Sequence, residues 1–329
     1  MACAPAVGAE VSQAKPIVLF LCLSCWSSAA QAGERYALII SGAAGGEKYA
    51  AQQKKWSADL STALTRGFGF PESNVALLSE EATGTSRATA ENVRRLLGDL
   101  HRRIAREDTL LLVLFGHGTF DGADAKFNLV GPDLTAFEWK GLLDGIAGRA
   151  VIVNTTEASF PFLEELSQRG RVIVTATDSA AQRFATVFPE YFIRALMDLS
   201  GDFDKNGRVS VWEAFEAASA GVKQYYEQKG QLSTEHPLLD DDGDRVGREA
   251  QTPGGDGTLA RTVYLDAEPG AASTDAAVAA LERQRQTLEA QIEELKARRP
   301  SMSDGQYQAE LERLLLQLAR ITRRIKDRS

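Results

Sequence analysis

The apolar positions of the chain follow two different patterns. Five short runs are almost continuously apolar, and glycine or a small polar residue follows the apolar part of each: RYALIISG, NVALLSE, TLLLVLF, AVIVNT and RVIVTAT. Between them lie segments with apolar residues three or four positions apart, as at Tyr49, Trp56, Leu60 and Leu64. Buried strands that alternate with amphipathic helices indicate a mainly parallel sheet covered on both faces. The pattern therefore predicts an α/β domain over residues 33–200.

The C-terminal segment, residues 271–329, has a different period. Its apolar residues follow the a/d spacing of a coiled coil in two halves: Val278, Leu281, Leu288, Ile292 and Leu295, then Leu311, Leu314, Leu318, Ile321 and Ile325. The stretch RRPSMSDGQ separates the halves, which predicts an antiparallel helical hairpin with arms of about 30 Å. This pattern fits equally well a helical pair packed on the parent domain and an arm for protein interaction or oligomerisation.

The N-terminal residues 1–32 have the features of a secretory signal peptide. Lys15 precedes the short apolar stretch PIVLFLCLSCW, and Ala30-Gln31-Ala32 forms a cleavage pattern. The apolar stretch is too short for a membrane anchor, which needs about 20 residues. We therefore expect an exported protein, periplasmic or secreted, with no stable membrane span.

Composition narrows the possible chemistry. The net charge of −8 makes nucleic acid an improbable partner. The three cysteines, Cys3, Cys22 and Cys25, all lie in the predicted signal peptide. The mature chain would then have no disulfide, no thiolate nucleophile and no sulfur-ligated metal.

Two polar segments follow the third and fourth predicted strands. His117 stands between two glycines in FGHGT, and NTTEAS covers Asn154–Ser159. Ligands of open α/β sheets bind outside the carboxyl ends of the strands, and consecutive βαβ units usually place their strands side by side. We expect His117 and this second segment to face each other across a cleft.

These segments together resemble the legumain-like and caspase-like cysteine peptidases. The resemblance covers roughly residues 34–200 and includes YALIISG, KKWSADLSTAL, NVALLSE, ATAENVRRLL, LLLVLFGHGT and AVIVNTTEAS. It implies a caspase-like three-layer α/β sandwich with the catalytic histidine after the third strand and a cysteine after the fourth. His117 and Gly118 match the family's His-Gly pair, and Glu157 matches the glutamate after the nucleophile. Thr156 stands where the resemblance implies the cysteine.

This replacement changes the expected chemistry. A cysteine is a few per cent thiolate near neutral pH, whereas a threonine hydroxyl needs a strong and well-aligned base. We therefore expect a pseudopeptidase that acts in binding or scaffolding. One alternative is an active hydrolase in which Thr156 or Ser159 works as nucleophile with His117. In a third interpretation, His117 is a capping or packing residue.

The segment DFDKNGRVSVWE fits an EF-hand calcium loop. Asp202, Asp204 and Asn206 occupy positions 1, 3 and 5, and Gly207 occupies the turn at position 6. The other expected ligands are the carbonyl of Arg208, Ser210 directly or through water, and a bidentate Glu213. Oxygen ligands in this order favour Ca²⁺, and flanking helices are expected on both sides.

A second acidic loop, DDDGDRVGRE, is less complete. Asp240, Asp242 and Asp244 occupy positions 1, 3 and 5, but Arg245 replaces the glycine and position 12 has no glutamate. It is a weaker candidate for a second cation site.

The domain boundaries that we predict are 1–32 for the signal peptide, 33–200 for the caspase/legumain-like domain, 201–256 for the calcium-binding module, 257–270 for a returning strand and linker, and 271–329 for the helical hairpin. The expected partner is a protein or peptide, bound in the cleft or by the hairpin.

Overall fold

A six-stranded sheet forms the centre of the molecule. The computed structural model describes residues 33–198, 201–266 and 276–328. The strands of the sheet are β1 (Arg35–Ser41), β2 (Val75–Leu78), β3 (Thr109–Phe115), β7 (Arg149–Asn154), β8 (Arg171–Thr175) and β9 (Leu238–Asp240). They lie in the order β2–β1–β3–β7–β8–β9, and all neighbours are parallel except the last pair. The prediction of an α/β fold with a mainly parallel sheet is confirmed.

Helices cover both faces of this sheet. They are α1 (Glu47–Thr62), α2 (Ala90–Arg103), α3 (Ala136–Leu143), α4 (Phe160–Leu166), α5 (Phe188–Met197) and α6 (Val211–Gln228). One face buries alternate strand residues such as Ile39 and Val113 against α1, α5 and α6. The opposite face buries Leu38 and Leu112 against α2, α3 and α4. Because β3 is buried on both faces, its sequence shows no alternation of polar and apolar residues.

A small antiparallel sheet follows the third strand. Its strands are β4 (Gly118–Phe120), β5 (Ala125–Phe127) and β6 (Leu134–Thr135), in that order. Strands of two or three residues leave too little periodicity for detection in the sequence. This sheet fixes the backbone on the C-terminal side of His117.

The predicted returning strand after residue 256 is replaced by other structure. Residues Ala260–Thr262 form a 3₁₀ turn, and Tyr264 makes an isolated antiparallel bridge with Ser210. The Arg35 side chain donates a 2.7 Å hydrogen bond to the carbonyl oxygen of Leu265. A few backbone and side-chain bonds therefore attach this segment to the domain, and the sixth strand of the sheet comes instead from β9.

Two long helices form the C-terminal part of the chain. They are α7 (Ala276–Arg298) and α8 (Asp304–Lys326), joined by a 3₁₀ turn at Arg299–Ser301. Their facing sides share one buried cluster: Leu281, Leu288, Ile292, Leu295, Tyr307, Leu314 and Ile321. The two helices thus have a core of their own, separate from the two cores of the sheet.

The structure bears on the predicted export and membrane features only through the described residues. The proposed signal peptide, residues 1–32, lies outside the described residues. Among the helices that are described, none combines the length and the apolar character needed to cross a bilayer.

Candidate functional site

His117 lies at the carboxyl end of the sheet, where it meets the segment after the neighbouring strand. Because β3 and β7 are adjacent, their ends bring His117 and Glu157 into contact. Nδ1 of His117 lies 2.9 Å from Oε1 of Glu157, and Nε2 lies 3.0 Å from the carbonyl oxygen of Ala44. Tyr49 packs edge-on against the imidazole, with 4.8 Å between ring centroids. The two segments therefore meet at this edge of the sheet, and the residue that bonds to the histidine is a glutamate.

Both hydrogen-bond partners of His117 are acceptors. The two contacts are therefore satisfied together only in the imidazolium, in which both ring nitrogens carry a proton. The hydrogen bond to Glu157 raises the pKa of His117, with smaller contributions from the charge of Glu157 and the bond to Ala44, while burial opposes the rise. A general base needs an unprotonated nitrogen directed at the proton that it removes. In this arrangement His117 has none.

Thr156 is fully buried, and its hydroxyl bonds to Asn154 rather than to His117. Its hydroxyl donates a 2.9 Å hydrogen bond to Oδ1 of Asn154, and the same oxygen accepts from the Thr156 backbone amide at 3.1 Å. The Thr156 side chain lies against Gly118, where an added Cβ would stand only 2.7 Å from Oγ1. Asn154 thus holds the Thr156 hydroxyl in place. Gly118 has no side chain, which leaves space for the Thr156 side chain beside it.

Ser159 is also fully buried and has structural partners. Its Oγ accepts hydrogen bonds from the backbone amides of Ala176 at 3.1 Å and Thr177 at 3.2 Å. The Thr177 hydroxyl lies 3.0 Å from the same oxygen. These bonds join the start of α4 to the end of β8. Neither of the two candidate nucleophiles forms a hydrogen bond with His117.

The site residues missed by the sequence analysis are the partners of the histidine. Glu157 was matched to the family pattern without a role, although its carboxylate also accepts a 3.3 Å bond from the Gly118 amide. Ala44 acts through its backbone and leaves no signal in the sequence. The spacing of Tyr49 fits the apolar stripe of α1, which predicts packing in the core and no contact with His117.

The first acidic loop brings three carboxylates together. Asp202, Asp204 and Glu213 offer oxygens that all lie within 4.8 Å of one another. Asp202 accepts 3.0 Å bonds from the amides of Asn206 and Gly207, which curl the loop around it. The pKa of Asp204 is raised, mainly by burial and then by the charge of Glu213. Carboxylates crowded in this way favour a bound hard cation with oxygen ligands.

Three of the predicted ligands, Ser210, Glu213 and Arg208, also make structural contacts. Ser210 and Glu213 form a capping box at the start of α6, in which Oγ of Ser210 accepts from the Glu213 amide. The Oε1 atom of Glu213 accepts a 3.1 Å hydrogen bond from the backbone amide of Phe203, on the opposite side of the loop. The side chain of Arg208 points away from the acidic cluster, forms an ion pair with Asp266 and lies over the ring of Tyr264. Its predicted contribution through the backbone carbonyl is compatible with this orientation.

The second acidic loop repeats the backbone conformation of the first. Lys205 and Gly207, at positions 4 and 6, have φ of +61° and +83°. Gly243 and Arg245, at the same positions, have φ of +80° and +69°. Arginine thus adopts the left-handed conformation for which glycine was expected, held by hydrogen bonds from its amide to Asp240 and Ser167. The missing glycine has not changed the shape of the loop.

A fourth carboxylate lies beside this second loop. Asp240, Asp242 and Asp244 offer oxygens within 4.8 Å of one another. Asp256 is almost fully buried, and its Oδ1 accepts a 3.0 Å bond from the amide of Asp241. Burial, aided by the charges of Asp242 and Asp240, raises the pKa of Asp256 to about 7. No sequence rule for a 12-residue loop would have included Asp256, because it lies 16 residues after Asp240.

Comparisons with known proteins give structural similarities only. No protein-family model matches the chain, and no curated protein matches it. A solved structure from Geobacter sulfurreducens is 15% identical and aligns with a TM-score of 0.41, covering 66% of this chain and 97% of the other. The secreted cysteine protease iotapain from Bacteroides thetaiotaomicron is 9% identical with a TM-score of 0.38, covering 65% of this chain and 68% of the protease.

Proposed function

We propose that the chain is a non-catalytic, caspase/legumain-like domain that binds calcium and acts in binding or scaffolding. The observation that carries this proposal is the arrangement around His117. Both imidazole nitrogens donate to acceptors, and the hydroxyls of Thr156 and Ser159 are buried and bonded elsewhere. His117 after the third strand and Thr156 after the fourth match the places that the family resemblance implies for histidine and cysteine.

Several features of this cleft oppose the alternative of a hydroxyl-based hydrolase. Activation of a hydroxyl needs a base within hydrogen-bond reach and a third group that orients the base. Glu157 orients His117, but the nitrogen facing away from Glu157 bonds to Ala44 instead of a nucleophile. The arrangement has an orienting group and a histidine, and the nucleophile is missing from it.

A labelling experiment tests the proposal directly. The chain from residue 33 onward is incubated with a fluorophosphonate probe and with a mixed peptide library, in calcium and in chelator. We expect neither labelling nor cleavage. Labelling at Ser159 or Thr156, lost in His117→Ala, would establish the hydrolase and reject the pseudopeptidase.

The calcium part of the proposal is supported by the two acidic loops. Each brings three carboxylates within 4.8 Å, and both have left-handed residues at positions 4 and 6. Asp202, Asp204, Asn206, Ser210, Glu213 and the carbonyl of Arg208 would hold the ion in the first loop. In the second, weaker site Asp240, Asp242 and Asp244 would hold the ion.

Isothermal titration calorimetry with calcium separates the two loops. We expect Asp202→Asn to remove the tighter binding event, because position 1 organises the loop and its carboxylate neutralises the ion. Asp240→Asn is the matched change in the second loop, and it should leave the tighter event intact. If Asp202→Asn binds calcium like the parent chain, the first loop is not the site.

A further inference from the structure

The first acidic loop contains a chemically reactive pair of residues, Asn206 and Gly207. The chain has five asparagines, and only Asn206 is followed by glycine. Valine, valine, leucine and threonine follow the other four, which are Asn74, Asn92, Asn128 and Asn154. Glycine has no Cβ, so its backbone nitrogen is open to the side chain that precedes it. Asn206 is therefore the asparagine whose side chain is best placed to react with the next backbone nitrogen.

The reaction is deamidation, and water is its one co-reactant. The backbone nitrogen of Gly207 loses its proton and attacks Cγ of Asn206. A new N–C bond forms, the bond from Cγ to Nδ2 breaks, and the leaving nitrogen takes up the proton to depart as ammonia. Water then opens the five-membered imide at one of its two carbonyl carbons, which gives aspartate or isoaspartate.

The folded loop makes the attacking nitrogen harder to ionise. The amide of Gly207 donates a 3.0 Å hydrogen bond to Oδ2 of Asp202. Carboxylates are weak bases, so this bond retains the proton on the nitrogen. Loss of the proton would place a negative nitrogen beside the carboxylate, with oxygens of Asp204 and Glu213 within 4.8 Å of those of Asp202. Like charges at such distances disfavour ionisation, so the nitrogen is a poorer nucleophile here than in an unfolded chain.

The side chain of Asn206 is held at both of its polar atoms. Nδ2 donates to Oδ2 of Asp204 at 3.0 Å and to the hydroxyl of Tyr264 at 3.2 Å. Oδ1 accepts a 2.8 Å bond from the amide of Arg208. Departure of Nδ2 as ammonia breaks the two bonds that it donates. Because Tyr264 lies 58 residues further along the chain, the fold of the domain contributes to this restraint.

We propose that Asn206 is a deamidation site that the folded loop protects. Deamidation takes place when the loop opens or the chain unfolds, and it is suppressed in the folded loop. The product has a fourth carboxylate at position 5 or, as isoaspartate, one additional main-chain atom. This modification concerns the loop without a metal ion, so it does not depend on the proposed calcium binding.

Peptide mass spectrometry on the full chain tests the proposal. The chain is incubated in chelator at mildly alkaline pH, with and without denaturant, and the mass gain at Asn206 is followed. We expect conversion in denaturant and a rate at least about 10-fold lower in the folded chain, the effect of one hydrogen bond to a charged group. Gly207→Ala should slow conversion in denaturant, because its Cβ obstructs the attack.

Two variants test the source of the protection. Asp202→Asn removes the charge beside the attacking amide and should speed conversion in the folded chain. Asp240→Asn, the matched change in the second loop, should leave the rate unchanged. Tyr264→Phe removes one bond to the leaving nitrogen and keeps the ring over which Arg208 lies, so the folded rate should rise about 5-fold. This second variant also tests the proposal if Asp202→Asn fails to fold.

Each of four results would overturn the proposal. Equal rates in the folded and the denatured chain would show that the loop gives no protection. A faster rate in the folded chain would mean that Asp202 acts as a base. An absence of conversion in denaturant would remove the site itself. Unchanged folded rates in Asp202→Asn and Tyr264→Phe would reject the roles given to these two residues.

Discussion

At the scale of single residues, the contacts of His117 decide which chemistry the cleft supports. A histidine between two glycines at a strand end suggests a base with freedom to turn toward a nucleophile. Glu157, Ala44 and Tyr49 remove that freedom. The imidazolium that results binds an acceptor on each side, which suits a structural ion pair.

Replacement of the glutamate should lower the pKa of His117. In Glu157→Gln the main cause of the raised pKa is lost and burial remains, so the pKa should fall to its ordinary value of 6.5 or below. Titration of the His117 ring protons by nuclear magnetic resonance measures this. Glu164→Gln, an exposed change on α4, should leave the pKa raised.

The same pair predicts a pH dependence of stability. The pKa of His117 is raised in the folded protein, so its ion pair with Glu157 contributes its full stabilisation below a pH of about 6.5. This stabilisation is lost as the pH rises through the folded-state pKa. Denaturant unfolding at several pH values should therefore show a loss of about 1 kcal/mol across this window, which Glu157→Gln abolishes. An unchanged pH profile in Glu157→Gln would show that the pair does not stabilise the fold.

Ser159 gives a second test at this scale. Ser159→Ala leaves the buried amides of Ala176 and Thr177 without their acceptor, which costs about 1–3 kcal/mol of unfolding free energy. Denaturant unfolding measures the loss. Ser301→Ala, at an exposed turn, is the control with little expected effect. A stable Ser159→Ala chain would contradict the structural role.

At the scale of elements, the two acidic loops show how backbone conformation can persist when the residue changes. Position 6 needs a positive φ, and Gly207 meets it without steric cost. Arg245 adopts the same conformation because its amide is held by Asp240 and Ser167. The aspartate at position 1 therefore shapes the second loop without a glycine at position 6.

Arg245→Gly should stabilise the chain in chelator. A non-glycine residue in the left-handed region costs about 1–2 kcal/mol, and glycine removes most of this cost while it keeps the backbone hydrogen bonds. Thermal unfolding measures the gain. Val246→Gly is the control at the neighbouring position. Val246 has no positive φ whose strain glycine could remove, so this change should destabilise the chain. A loss of stability in Arg245→Gly would mean that the arginine side chain contributes more than its backbone strain costs.

At the scale of the whole molecule, the described residues combine three apolar cores with two acidic loops. The sheet has two of these cores, and the C-terminal pair of helices has the third. Each acidic loop brings three carboxylates within 4.8 Å of one another. A cation bound in either loop would reduce the repulsion among these carboxylates and so stabilise the folded chain.

Calcium should raise the thermal stability of the chain. For one site at 100 times its dissociation constant, linkage gives about 2.7 kcal/mol of added unfolding free energy. Thermal unfolding in calcium and in chelator measures this, with magnesium at equal concentration as the comparison. Melting curves that overlay in calcium and chelator would contradict calcium binding by either loop.

The sequence by itself determined the features that depend on neighbouring residues. Continuous apolar runs such as that of β3 require burial on both faces, which predicts the mainly parallel sheet. The carboxylates of Asp202 and Asp204 lie together because they are two residues apart in a tight loop.

Tertiary structure decided the contacts made between residues that are far apart in the sequence. Glu157 rather than Thr156 meets His117 because Asn154 turns the threonine inward, and Asp256 joins the second loop through the fold of the intervening chain. Such choices depend on the direction of side chains at the ends of different elements, which no local pattern specifies.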